Sequence, residues 1–355
     1  MGLSASGGWA AGAHLPALSA VDGITLTALA TSSHASAAAA SAEFRVPGYA
    51  SVAQLAADEN VDLVVVAVKV PRHRELVLPA LLAGVPVLSE WPFAVDLAEA
   101  EEMACAARDT PAFIGLHGRC SPTARWLAGL VADGYVGHVL SATMLASSIE
   151  WGTPVSERMR YTLDRTLGAT MLAIAFGNAI DFVSMIVGEL QDVVASTATR
   201  RPAVPLDRTG RMVPMTAEDQ IAVSGTLPGG AILSAHHRGA TMSGPGFSLI
   251  VDGTEGTLEI TAASGYPHLG PVTVRGTRGR APLQQLPMPD GHDDYPHLAG
   301  TPAHSLAHTY AAIRNDLTDH TSTAPDFAHA VKRHRLLDAI VRSADEGRRV
   351  PLDEL

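Results

Sequence analysis

Over the first 118 positions apolar residues fall into short continuous runs separated by helical stretches, an alternation that predicts parallel βαβ units. Residues 24–30 read as a strand. The alanine-rich stretch 35–43 follows as a helix, because alanine is the best helix former. The run VDLVVVAV over 61–68 is almost wholly β-branched, which suits a central strand buried on both faces. A helix over 73–82, a short strand at Val87-Leu88, a helix over 96–108 and a strand over 112–116 complete a doubly wound parallel sheet.

Beyond Pro122 the pattern changes. A helix is expected over 124–131, a strand over 139–146 and a long apolar helix over 168–187. Strands then dominate, at 193–197, 220–227, 231–237, 247–251 and 257–260. The turns Pro228-Gly229-Gly230 and Asp252-Gly253 between them predict an antiparallel meander. The Pro-, Gly- and His-rich segment 276–300 reads as loop, and helices return over 302–317 and 326–346. The expected fold is therefore α/β: a Rossmann-type domain over 1–118, and an α+β domain over 119–355 with a large open, mainly antiparallel sheet. The C-terminal helices are expected to pack back toward the first domain.

The 355 residues carry 25 basic and 36 acidic side chains, a formal charge of −11, which argues against a partner with a phosphate backbone or an anionic membrane. Two cysteines, Cys105 and Cys120, exclude a disulfide framework, so a reducing cytoplasm is expected. The first 21 residues are uncharged but lack a basic start, and glycines and Pro16 break the run, so no secretory signal is read there. No stretch has the apolar length of a membrane span. His292, His297, His304 and His308 lack a fixed carboxylate partner, and no metal is expected.

Candidate chemistry gathers where strands end. Small residues from Gly2 to Ala10, with Ser4, Ala5, Gly8, Trp9 and Ala10 as contacts, suit close approach to a pyrophosphate. Only Met1 precedes this turn, whereas a strand needs about five residues, so a start codon further upstream is expected. Thr31, Ser32 and Ser33 end the second strand without an acid that would repel a 2′-phosphate. The expected cofactor is therefore NADP, or NAD. Val68, Lys69 and His73, then Glu90 and Trp91, then Arg119 follow the later strands, at the edge where open α/β sheets bind ligands.

These motifs, with Gly118-Arg119-Cys120-Ser121-Pro122, resemble the Gfo/Idh/MocA family of nicotinamide-dependent oxidoreductases. The Glu90-Trp91 pair, the run from His117 to Pro122 and Asp252-Gly253-Thr254-Glu255-Gly256 are most similar to its Gal80-type branch. The resemblance implies a Rossmann domain and a small polar substrate. It also implies a homodimer or homotetramer formed by face-to-face pairing of the second-domain sheets. Catalytic members carry a lysine in an E-K-P element and an Asp-x-x-x-His on a helix. Here those positions are Trp91, Ile174 and Asn178.

The expected function is hydride transfer to or from a C=O, C=N or conjugated C=C bond without the usual proton donors. The alternative is a nucleotide-binding regulator without catalysis. Lys69, one of only two lysines, is the expected donor if it is desolvated. Asn178, Tyr161 and His237 are the other candidate catalytic residues, and His236 is a neighbour with the same chemistry. Asp181 is expected to be structural.

Overall fold

The computed structural model describes residues 8–240 and 246–352. Two compact units emerge, one made of Met1–Cys120 and Tyr295–Lys332, the other of Ser121–Asp294 and Arg333–Leu355. The segment Tyr295–Lys332 thus belongs to the first unit, within what the sequence reading assigned to the second domain.

In the first unit β1 (Leu29–Ala30) pairs in parallel with β2 (Gly48–Tyr49), while β3 (Val64–Val66), β4 (Val87–Glu90) and β5 (Ala112–Gly115) form a parallel sheet in that order. The strand expected over 24–30 shortens to two residues because its ladder partner is only two residues long. The one expected over 61–68 keeps only its fully buried centre, Val64 to Val66. Ser33, Ser51 and Asp96 cap the helices His34–Phe44, Val52–Ala56 and Leu97–Ala107, each side chain accepting a backbone N–H three residues on. Leu29, Val65, Leu88 and Phe113 meet Leu306, Tyr310 and Ile313 of the Ala303–Asp319 helix in one core.

The second unit contains β6 (Val139–Ser147), β7 (Asp192–Ala198), β8 (Ala203–Pro205), β9 (Met212–Pro214), β10 (Gln220–Thr226), β11 (Ile232–Arg238), β12 (Phe247–Gly253), β13 (Gly256–Ala262), β14 (Val272–Arg278), β15 (Gln284–Gln285) and β16 (Val350–Pro351). Nine of them form one sheet in the order β15-β14-β13-β12-β6-β11-β10-β7-β16, and β8 and β9 pair separately. The meander is interrupted. β6 lies between β11 and β12, parallel to the first and antiparallel to the second, so the sheet is mixed. β14, VTVRGTR, runs into the segment read as loop; its polar face hid the pattern, since only Val274 and Gly276 are buried.

Leu233, Ala235 and His237 of β11 are buried, whereas Ile232, Ser234, His236 and Arg238 lie on the opposite, more accessible face. The helix expected over 168–187 opens as a π-type turn, Leu172–Phe176, and continues as Gly177–Val187. Asp181 on this helix is buried and receives Nε and Nη2 of fully buried Arg333, whose Nη2 also reaches Glu189. This ion cluster ties the Gly177–Val187 helix to the Phe327–Glu346 helix. Among the described residues no helix is long and apolar enough to cross a membrane.

Candidate functional site

The parallel sheet ends on a buried carboxylate. Glu90, the last residue of β4, receives Trp9 Nε1–H at 2.9 Å and His117 Nε2 at 2.8 Å, and lies 3.1 Å from His14 Nε2. Tyr310 Oη and Thr309 Oγ1 stand behind the two histidines, 2.7 Å from His14 Nδ1 and 3.1 Å from His117 Nδ1. Gly115 makes the room, because a Cβ there would come within 2.9 Å of the Glu90 carboxyl. Burial alone would push Glu90 up, but the pull of His117 and His14 and their hydrogen bonds outweigh it. The carboxyl is held well below the usual range. Burial, then Glu90, pushes the Tyr310 phenol well up, so it stays a neutral donor.

The expected nucleotide contacts divide. Ser4 and Ala5 lie outside the described residues. Gly8 is exposed with φ 134°, Trp9 is at the surface and Ala10 is buried. Thr31, Ser33 and Ser36 share a hydroxyl network at the start of the His34–Phe44 helix, with Oγ–Oγ distances of 2.7 and 2.8 Å; Ser32 and Ser33 are exposed. Trp91 is buried, Val68 is exposed, and Arg119 is half-buried in the short helical turn His117–Cys120.

Two further residues lie after β3, which ends at Val66: Lys69 is exposed. His73 is buried, and its ring nitrogens lie 3.1 Å from Phe93 O and 3.0 Å from Val68 O. Burial lowers its pKa, so the ring has one N–H to give to one of these carbonyls, and Ser89 Oγ lies 3.3 Å from Nδ1 as a further partner. It links the chain segments after β3 and β4.

In the second unit Asn178 is half-exposed beside half-exposed Ile174, but its Nδ2 donates to Ile174 O at 2.8 Å, leaving its amide oxygen as the available acceptor. Tyr161 is half-buried, and burial raises its phenol while Arg158 pulls the other way. His237 is fully buried, and its Nε2 lies 2.8 Å from Ser148 Oγ, which also bonds Tyr266. Burial, then His236 and Arg238, bring its pKa down to about 3, so it is neutral. His236 is half-exposed and is lowered by burial and by Arg238.

The sequence reading missed His14, Thr309, Tyr310, Ser148 and Tyr266 as site residues. His14 had a signal: a lone polar ring five residues after Trp9 in an uncharged, apolar stretch. Tyr310, 296 residues from its partner, had none.

Residues 6–116 match the family model described as "Oxidoreductase family, NAD-binding Rossmann fold", and residues 122–262 match "Gal80p, C-terminal domain". The chain is 29% identical over 337 residues to Dehydrogenase aclE of Aspergillus oryzae, covering 91% of this chain and 87% of that protein. It is 27% identical over 323 residues to the galactose/lactose metabolism regulatory protein GAL80 of Saccharomyces cerevisiae, covering 82% and 74%. Its fold is that of a super-repressor mutant of Gal80p from Saccharomyces cerevisiae (TM-score 0.88, 21% identity, 99% and 96% covered). It is also that of levoglucosan dehydrogenase solved with NADH and L-sorbose (TM-score 0.79, 20% identity, 97% and 96% covered). The chain thus joins a segment that matches the NAD-binding Rossmann model of the oxidoreductase family to one that matches the C-terminal domain of Gal80p.

Proposed function

We propose that this protein binds a nicotinamide dinucleotide, NADP in preference to NAD, and transfers hydride between it and a small polar molecule. The observation that carries this reading is the retained strand-end machinery of the first unit: Glu90 fixed by Trp9, His14 and His117, and open hydroxyls at the end of β1. The residues fit the dinucleotide. Thr31, Ser33 and Ser36 offer neutral donors and acceptors to an adenosine ribose or its 2′-phosphate, with no carboxylate among them. When bound, the nicotinamide supplies or accepts the hydride.

The chain's own part is positioning. Glu90 anchors the indole of Trp9 at the rim of the sheet, and Trp91, where catalytic relatives place lysine, is an apolar wall. Neither Trp91 nor Ile174 can move a proton. The substrate class that fits is one needing least acid catalysis: an iminium ion, which already carries its charge, before a conjugated alkene or a ketone.

A second reading, a regulator that binds the nucleotide without turning it over, is favoured by the same two substitutions and by the Gal80p-type second half. Incubation of the full chain with NADPH and a panel of cyclic iminium salts, enones and ketones separates the two. Consumption of reduced nicotinamide supports the oxidoreductase. Tight binding with no consumption across the panel supports the regulator.

We also propose a homodimer formed through the open face of the nine-stranded sheet. Val194 and Ile232, both exposed, stand on that face among small polar neighbours such as Ser224 and Ser234. Light scattering at micromolar concentration is expected to give twice the chain mass, and Ile232→Glu is expected to give one chain mass. A wild-type monomer contradicts this assembly.

A further inference from the structure

The end of β11 holds a guanidinium edge that is unpaired among the described residues: Nε and Nη2 of Arg238 are both buried and have no hydrogen-bond partner there. These two nitrogens form one edge of the guanidinium, with N–H bonds that run parallel and match a two-oxygen anion. The same edge is filled elsewhere in this chain. Arg74 gives Nε and Nη2 to the two oxygens of Glu102 at 2.7 and 2.5 Å, and Arg333 gives both to Asp181 at 3.2 and 2.9 Å. Two acids on the segment leading into β10 are held by other groups: Asp219 takes the backbone N–H groups of Arg200 and Arg201 at 2.8 Å, and Glu218 takes Arg165 at 2.8 Å through Oε1, its Oε2 having no partner among the described residues.

The surroundings are built of donors. Arg238 is directly opposite Gln220 on β10 and Ser147 on β6, and half-exposed His236 shares its face two residues back. The backbone there is fixed, because Gly239 N–H donates to Asp219 O at 2.8 Å and a Cβ on Gly239 would lie 2.8 Å from Trp151 O. A half-buried cation whose Nε and Nη2 are shut off from water and left unpaired is unfavourable unless an anion completes it.

We propose that Arg238, flanked by His236, Gln220 and Ser147, is a receptor for a small two-oxygen anion, the carboxylate of an organic acid or a phosphate group. The site lies within the second unit, on the face of β11 that also carries Ile232 and so shares that face with the proposed dimer contact; it goes beyond the hydride-transfer reading and stands or falls independently of turnover.

Titration of the full chain, in a buffer free of both probes, with succinate in one arm and inorganic phosphate in the other tests it. The readouts are the thermal midpoint and the Nε–H resonance of Arg238 by ¹⁵N NMR. A saturable rise in midpoint with a shift of that resonance is expected in one arm, and the more effective arm identifies the anion. Arg238→Gln is expected to abolish the rise while melting no lower than wild type without anion, because it removes an uncompensated charge. Arg278→Gln, at an exposed ion pair, is expected to leave the rise intact. An Arg238 resonance indifferent to both anions overturns the proposal and leaves water as the occupant. So does an equal rise in the Arg238→Gln variant.

Discussion

Replacing Glu90 with alanine is expected to destabilise the first unit by about 3–5 kcal/mol, the cost of breaking a buried charged cluster from one side. The carboxylate is the hydrogen-bond partner of Trp9 and His117 and the ion-pair neighbour of His14. Its loss strands His14 Nε2 and His117 Nε2 in the interior and frees Trp9 Nε1 at the rim. Glu90→Gln keeps the volume and one acceptor oxygen, so about 1–2 kcal/mol is expected. Thermal melts of both variants beside wild type check this, and equal melts for Glu90→Ala and wild type contradict the cluster's role. Nucleotide affinity is expected to follow the same order, because Glu90 fixes the ring of Trp9 at the strand ends.

Acid is expected to unfold the protein early. His237 has a folded pKa of about 3 against an ordinary value of 6.5, so between those values the unfolded chain binds the extra proton. Stability therefore falls as pH drops through that window, by up to about 5 kcal/mol for a drop of about 3.5 pH units. His73, also buried and lowered, acts in the same sense. Glu90, held below the usual carboxylate range, adds a loss that begins lower, as pH falls past the ordinary carboxylate values. Thermal midpoints from pH 7 down to pH 4.5 are expected to drop steadily, and His237→Gln is expected to flatten part of that slope. A wild-type midpoint constant between pH 7 and pH 5 contradicts the buried neutral state.

The β-branched run around Val64 to Val66 and the turns at Pro228-Gly229-Gly230 and Asp252-Gly253 announced their elements, because burial on both faces and tight turns constrain local residue choice. The insertion of β6 beside β11 did not, since which strand pairs with which is settled by long-range packing. The same limit governs the site. Glu90 and Trp91 stood out by motif, but the partners of Glu90 are 27 to 81 residues away in the cases of His117 and Trp9. The exposure of Lys69 was hidden for a local reason: the apolar run continues two residues past Val66, where the ladder stops.

The most direct measurement on the central claim is a calorimetric titration of the full chain with NADPH and, separately, with NADH. Saturable binding of one dinucleotide per chain is expected, tighter for NADPH and weakened in Glu90→Ala. The absence of binding heat for either, across temperatures that exclude a zero-enthalpy coincidence, contradicts both the oxidoreductase and the nucleotide-sensing regulator.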